Sequence, residues 1–439
     1  MGSMVVYALL QQVQQKYDPN NVFQSHYECA GMSDFTENEA AIHRDSLNVN
    51  SETECARIDS RVSRRTFLAG MGMAGGALAL SPLPLRSFLE SPAQDLILCV
   101  GSFGAGDAGT LHLVQIQRGM TRVLYTRPSE RPSAIVRHPF RSLLYVVNDV
   151  SHYQHQPRGT VETFALDQAN GTLELVGRQP LSLSATRPRS LAISPDGSSL
   201  LVAVFGGGAY NVLTLDESGL PSAPSVILKQ VGRGQHSTEQ ASAHPSHVLF
   251  HPGKGIALAA DYGAERLDIL ASDCGEFGAG SMKVVARIPC VAGSGPSKIA
   301  IHPDGELFVV AHILRPAITA FRLASERKLV PVGRASLNDG PTAICFSSER
   351  NVVFLAQTRT TRHAWLTAWT IDPQKGTLER AAEIALPAGE VASMHSAGST
   401  LWLASDRGMI AVELSSDTGT PRQTYRVSSI PNLRSMAVL

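Results

Sequence analysis

The chain has no excess charge of either sign. Lysine plus arginine number 38 and aspartate plus glutamate 38, and charged residues are only 17% of the total. No overall field therefore draws the protein to nucleic acid or to an anionic membrane surface, and any charge-based specificity has to be local. Long apolar runs are also missing. The best candidate, Phe67 to Leu80, is shorter than the roughly 20 residues a membrane-spanning helix needs, so no stable span is expected after processing. Cysteine is sparse, with 6 in the chain. Cys29 and Cys55 lie near the N-terminus and Cys99 and Cys345 in apolar runs, so only Cys274 and Cys290, flanking one insertion, are close enough to suggest a bridge. No Cys/His cluster has metal-ligand spacing. His152 and His155 in SHYQH make an isolated pair in a loop, so no metal is expected. No cofactor is expected either: the triple glycine Gly206–Gly208 separates two apolar runs and has no helix N-terminus behind it, which suits a tight hairpin better than a phosphate cradle.

What the chain does have is a repeat. One phrase, a short apolar run, a turn and a second apolar run, occurs six times: RPSAIVRHPFRSLLYVVN from Arg131, RPRSLAISPDGSSLLVAVF from Arg187, HPSHVLFHPGKGIALAADY from His244, GPSKIAIHPDGELFVVAHI from Gly295, GPTAICFSSERNVVFLAQT from Gly340 and the weaker VASMHSAGSTLWLAS from Val391. The turn residues His138, Ser194, His251, His302, Ser347 and Ser396 stand 45 to 57 residues apart, a period that fits four strands with their loops and marks a β-propeller. After each phrase comes a stretch alternating in polarity, such as GTVETFALD or AYNVLTLD, which predicts a half-buried strand. A more polar strand follows, as in GTLELVG, suited to the outer edge of a blade. LILCVGS (Leu96–Ser102) is a second strand with no first, and NLRSMAVL (Asn432–Leu439) a first strand with no second. Together they make a seventh blade and remove an open edge. The fold predicted is all-β, a seven-bladed β-propeller over residues 95–439 closed by pairing of its N- and C-terminal strands.

The N-terminal part differs. SRRTFLAGMGMAGGALALSPLPL from Ser63 sets Arg64 and Arg65 before a Gly/Ala-rich apolar run, the pattern of a twin-arginine export signal. Ala77-Leu78-Ala79 supplies a small-x-small cleavage pattern, and cleavage itself is left open. Residues 63–94 are thus a signal and linker, and a periplasmic or otherwise exported location is expected. Residues 1–62 form a leader whose polar, acidic stretch from Ser33 to Ser60 is predicted to be disordered. Within it LQQVQQKYDPNNVFQ (Leu10–Gln24) resembles the tail of berberine-bridge-type flavin oxidases, and Met32 is an alternative start.

From Leu96 onward the chain resembles the seven-bladed propeller lactonases, a family that includes propeller-type 6-phosphogluconolactonases and related carboxymuconate lactonising enzymes. The resemblance rests on CVGSFGAGDAGTLHLVQI, HPFRSLLYVVND, SPDGSSLLVAVFGGGAYNVLTLD and AHPSHVLFHPGKGIALAADYGAERL and spans the whole propeller. It implies hydrolysis of a lactone; separately, a monomer needing no cofactor is expected.

In a propeller the residues leading into each first strand gather at one mouth of the central channel. Here those positions hold Arg131, Arg187 with Arg189, His244 with Ser246 and His247, Lys298, Thr342, Ser393 with His395, and Arg434. Basic groups from several blades thus converge on one funnel, an arrangement suited to a carboxylate or phosphate, which arginine can grip bidentately. The structural alternative is that these arginines pair with Asp149, Glu130 or Glu239 at the rim. Lactone hydrolysis needs an activated water, a cation over the developing oxyanion and an acid for the leaving alkoxide. The resemblance points to His244 in AHPSH as the proton acceptor and donor, with Gln240 in register and His247 as runner-up; the converging mouth positions make Arg189, with Arg187 or Arg434, the clamp, and Arg131, Asp149 and Lys298 further binding candidates. Where the family often has a second histidine, this chain has Ser246. His247, one place on, should then face the other side of its strand. Pro188-Arg189-Ser190 likewise departs from the usual P-C-H, which puts 6-phosphogluconolactone itself in doubt. Two readings follow: an exported hydrolase of a sugar-acid or other anionic lactone, or a non-catalytic propeller binding an anionic ligand or a protein partner. His138, His251 and His302, in turns at the opposite end of the channel, are expected to be structural.

Overall fold

A computed structural model describes residues 96–439 apart from 118–119, 273–281 and 361–362. The leader, the export signal and the start-site question therefore lie outside the described residues, as does Cys274. Cys290 bonds no other cysteine among the described residues.

Every described element is a strand, and the strands form seven four-stranded antiparallel sheets. Blade 1 combines Leu433–Val438 as its innermost strand with Leu96–Phe103, Gly109–Gln117 and Met120–Pro128. Blades 2 to 7 each use four consecutive strands, beginning with the inner strands Pro132–Arg137, Pro188–Ile193, Pro245–Phe250, Pro296–Ile301, Pro341–Phe346 and Val391–Ala397. In blade 1 the register sets Leu98 opposite Val438 and Gly101 opposite Ser435. Gly101 has no room for a side chain, because a Cβ there would strike Ser435 and Pro132.

Seven hydrophobic clusters hold the ring together, one between each pair of neighbouring blades. Cys99, Leu111 and Leu113 of blade 1 pack on Ile135, Leu144 and Phe164 of blade 2. At the other end of the circuit, Trp402 and Met409 of blade 7 pack on Leu98, Val100 and Met436 of blade 1. Because each sheet is covered on both faces, the middle strands are buried on both. Ser199–Val204 and Ile256–Asp261 are buried throughout, and so is most of Thr160–Asp167. The alternation read as half burial is therefore polar residues turned into the sandwich and satisfied there. Asn148 donates to Glu162 at 3.1 Å, Thr367 to Gln357 at 3.0 Å, and Tyr210 to Asp268 at 3.0 Å. The turn histidines are staples. His251 Nδ1 accepts the amides of Gly253 and Lys254 while Nε2 meets the Gly305 carbonyl of the next blade at 2.9 Å. His302 repeats this with Asp304 and Asn351, and His138 with Phe140 and Arg141.

Candidate functional site

Each inner strand begins with the same distortion. The register slips at its second residue, so that Ser133, Arg189, Ser246, Ser297, Thr342, Ala392 and Arg434 are each an extra residue against the neighbouring strand. Such bulges re-aim side chains at the rim of a sheet. One of them overturns the face expected for His247. Ser246 donates to the Pro296 carbonyl at 3.2 Å, and His247 Nδ1 accepts the Ile299 amide at 3.4 Å. Both partners belong to blade 5, so the bulge leaves the two consecutive residues facing the same neighbour.

Two rings of residues define the mouth. The first, just before each inner strand, is Arg131, Arg187, His244, Gly295, Gly340, Glu390 and Asn432. The second, at the end of the second strand in blade 1 and just after it in the others, includes Phe103, Asp149, Phe205, Tyr262, Ile313 and Asp406. Within a blade the second-ring amide donates to the first-ring carbonyl, as Asp149 to Arg131 at 3.0 Å, Tyr262 to His244 at 3.1 Å and Ile313 to Gly295 at 3.0 Å. Across blades the second-ring side chain meets the next blade's first-ring residue. Phe103 lies under Arg131, with the guanidinium carbon 4.2 Å from the ring centroid. Asp149 Oδ1 accepts Arg187 Nε at 2.6 Å. Phe205 stacks on His244 with centroids 4.8 Å apart and planes at 19°. Tyr262 fills the space a side chain on Gly295 would need. Arg131 and Arg187 pay a backbone cost for their places: at φ of 36° and 53° both sit in the left-handed region while preceding proline, a strain of the kind that collects at functional sites.

The predicted cations are brought together but differ in their partners. Asp149, 5% exposed, holds Arg187 and also accepts Arg131 through its backbone carbonyl at 3.0 Å and, more distantly, its carboxylate at 3.7 Å. Arg434 donates to Glu390 at 2.8 Å. The rim pairing considered from sequence is thus present for Arg131 and Arg187 through Asp149, whereas Arg434 has a different partner in Glu390, Glu130 takes Arg178 and Glu239 takes the Tyr262 hydroxyl. Arg189 and Lys298 form no ion pair or hydrogen bond among the described residues. Arg189 instead lies over the Phe205 ring at 3.7 Å. Burial, chiefly, and the nearby Arg187 and Arg131 lower its pKa, with Asp149 opposing. Lys298 is pushed down to about 8 by burial and by Arg189, against the pull of Glu390.

The histidines divide as well. His244 Nδ1 lies 2.9 Å from the Phe205 carbonyl. A carbonyl only accepts, so Nδ1 carries the proton and Nε2 is the basic nitrogen, 3.3 Å from Ser242 Oγ. Asp261 fixes the backbone by accepting the His244 amide at 2.8 Å. His247, by contrast, is lowered to about 3 by burial and Lys298 and stays neutral as a brace between blades 4 and 5. Gln240 is fully buried, accepting the His236 amide and donating to the Tyr262 carbonyl at 2.8 Å. Its side chain shapes the loop behind His244 and leaves no group for the channel. Sequence reasoning missed Phe103, Phe205, Tyr262 and Glu390. In three of the repeated phrases the second-ring residue is the final letter, VAVF, AADY and AHI, and that periodicity was the available signal.

Seven sheets in a ring, with cations from several blades and an oriented histidine gathered at one mouth, define a seven-bladed propeller. The family model for the seven-bladed β-propeller lactonases matches residues 97–391, and the chain belongs to that family. Among its relatives is the 6-phosphogluconolactonase of Sodalis glossinidius, 22% identical over 298 residues, which are 58% of this chain and 85% of that one. Solved structures with the same fold include the periplasmic gluconolactonase of Pseudomonas aeruginosa, at TM-score 0.71 and 17% identity over 79% of this chain and 99% of the other. A Bacteroides fragilis protein described provisionally as a 6-phosphogluconolactonase aligns at TM-score 0.70 and 19% identity over 79% of this chain and 98% of its own.

Proposed function

We propose that the protein hydrolyses an anionic sugar-acid lactone at the blade 3 to blade 5 side of the channel mouth. The observation that carries this is that Arg189 and His244 share the Phe205 ring, while neither Arg189 nor Lys298, whose pKa the Arg189 charge helps to lower, forms an ion pair among the described residues. Like charges so placed are costly unless an anion completes them. Arg189 grips the substrate's carboxylate or phosphate, and Lys298, mostly protonated at pH 7, offers a donor to the carbonyl oxygen as charge develops there. His244 Nε2 takes a proton from the attacking water. The tetrahedral intermediate collapses with cleavage of the ring C–O bond, and the imidazolium returns its proton to the departing alkoxide. The Phe205 carbonyl stabilises that imidazolium through Nδ1–H. The names of the relatives support a lactone substrate, and a 6-phosphogluconolactone-like compound heads the panel. Export follows from Arg64 and Arg65, and a relative named periplasmic favours the same compartment.

Proton release from a lactone panel tests the proposal. His244→Ala should lower kcat by about 100-fold, the usual worth of acid–base catalysis, with KM little changed. Arg189→Ala should mainly raise KM for the anionic substrate. Wild-type protein inert toward every lactone, yet binding anions in a salt-sensitive way lost in Arg189→Ala, would favour the non-catalytic reading.

A further inference from the structure

The mouth contains one arrangement built twice. The Phe103 ring meets both Arg434, the bulge residue of its own blade, at 5.9 Å, and Arg131, the first-ring residue of the next blade, at 4.2 Å. The Phe205 ring meets both Arg189, again the bulge residue of its own blade, at 3.7 Å, and His244, again the first-ring residue of the next, at 4.8 Å. The scaffold is the same, but the charges around it are not. On the Phe103 copy both cations are taken, Arg434 by Glu390 and Arg131 by Asp149. On the Phe205 copy the arginine has no ion pair among the described residues and the second place holds an imidazole instead of a guanidinium.

We infer that Phe205 is the positioning residue of the site: its ring sets the plane of Arg189 while its ring and carbonyl together set the plane and tautomer of His244. The inference rests on the anion-site reading above and extends it to a residue that touches no substrate. An unpaired arginine has no hydrogen bond to choose its orientation, and a long side chain free to sample rotamers loses that freedom on binding. Stacking on Phe205 removes much of this loss beforehand. The aromatic face also attracts the guanidinium without neutralising it, as a carboxylate would. Tyr262 backs the platform, its ring 6.0 Å from that of Phe205 and its hydroxyl held by Glu239. Phe103 is the internal control, since the same stack there serves arginines already committed to carboxylates.

The test uses the full chain, with gluconate and inorganic phosphate as probes in calorimetric titrations and 15N NMR of the histidines. Phe205→Leu should weaken anion binding about tenfold, in line with a desolvated cation–π contact, and should mix the His244 tautomers. Phe205→Tyr, which keeps the ring, should restore both. Arg189→Lys, which keeps the charge and loses the planar stack, should bind about as weakly as Phe205→Leu. Phe103→Leu should leave affinity within about twofold. Full affinity and an unmixed tautomer in folded Phe205→Leu, an equal loss in Phe103→Leu, or a wild type that binds neither anion would each overturn the inference. Because these readouts need no turnover, an inert enzyme with the expected titrations would overturn the hydrolase reading alone.

Discussion

Replacing Asp149 by asparagine should move stability and anion affinity in opposite directions. The Asp149 side chain is 7% exposed and pairs with Arg187, at 2.6 Å, and Arg131, at 3.7 Å, two residues also held in left-handed backbone. Removing one member of a buried pair usually costs about 3–5 kcal/mol. Here the arginines keep 14% and 21% of their side-chain surface, so water recovers part of that, and about 2 kcal/mol is expected. The same carboxylate acts electrostatically on Arg189, opposing the loss of its proton. Without it the mouth gains one positive charge. At an effective dielectric constant of about 20, a unit charge some 10 Å away contributes roughly 1.5 kcal/mol, equivalent to about tenfold tighter anion binding at low salt. Denaturant unfolding measures the first effect. Phosphate titrations at low and high ionic strength measure the second, and the gain should shrink as salt is added. An Asp149→Asn protein as stable as wild type would show that the ion pairs do not hold the two arginines. Weaker anion binding would show that Asp149 itself contacts the ligand.

Acid stability should depend on His312, which is 1% exposed and lowered to about 4 by burial and the nearby Arg334. The unfolded chain takes up this proton first, so the contribution is complete above about pH 6.5 and is lost as pH falls toward 4, up to roughly 3 kcal/mol. His312→Gln should flatten that part of the stability curve in unfolding at pH 7 and pH 4.5, and an unchanged slope would refute the assignment. Deleting Asn432–Leu439 removes the inner strand of blade 1, including the fully buried Leu433. It should yield aggregating protein by size-exclusion chromatography, whereas a monomer with the wild-type melting temperature would show that this strand does not close the ring. For export, Arg64→Lys with Arg65→Lys should retain the precursor in the cytoplasm on fractionation, because the pair is read by a receptor and charge alone does not replace it. Processed protein outside the inner membrane would refute the signal.

The blades were legible because a propeller repeats one hydrophobic phrase, and the phrase survives changes in individual residues. The mouth cations Arg131, Arg187, Arg189, Lys298 and Arg434 were legible because their places in the phrase are fixed by the proline or turn before them. What pairs with them was not. Asp149 lies 38 residues from Arg187 and Glu390 44 from Arg434, and only the ring brings them together. The bulge defeated the face assigned to His247, since strict alternation has no place for an extra residue. The aromatic second ring was hidden for a different reason: a phenylalanine ending the apolar run VAVF looks like one more core residue until the chain turns there.

Net charge cancels over the whole chain and yet not at the mouth, and the repeat explains how both hold. Each blade presents equivalent positions at the rim, so a cation there is neutralised only if a facing position, in its own blade or a neighbouring one, carries an acid. Asp149 supplies one for Arg187 and Arg131, and Glu390 one for Arg434. At the corresponding second-ring position beside blade 4 the chain carries Phe205 in place of Asp149's carboxylate. An aromatic face there holds Arg189 and His244 in place without discharging them. Acidic substitution at this one position, Phe205→Asp, would give blade 3 the carboxylate that blade 2 carries at Asp149, and the unpaired Arg189 should then enter a rim ion pair and bind anions less well.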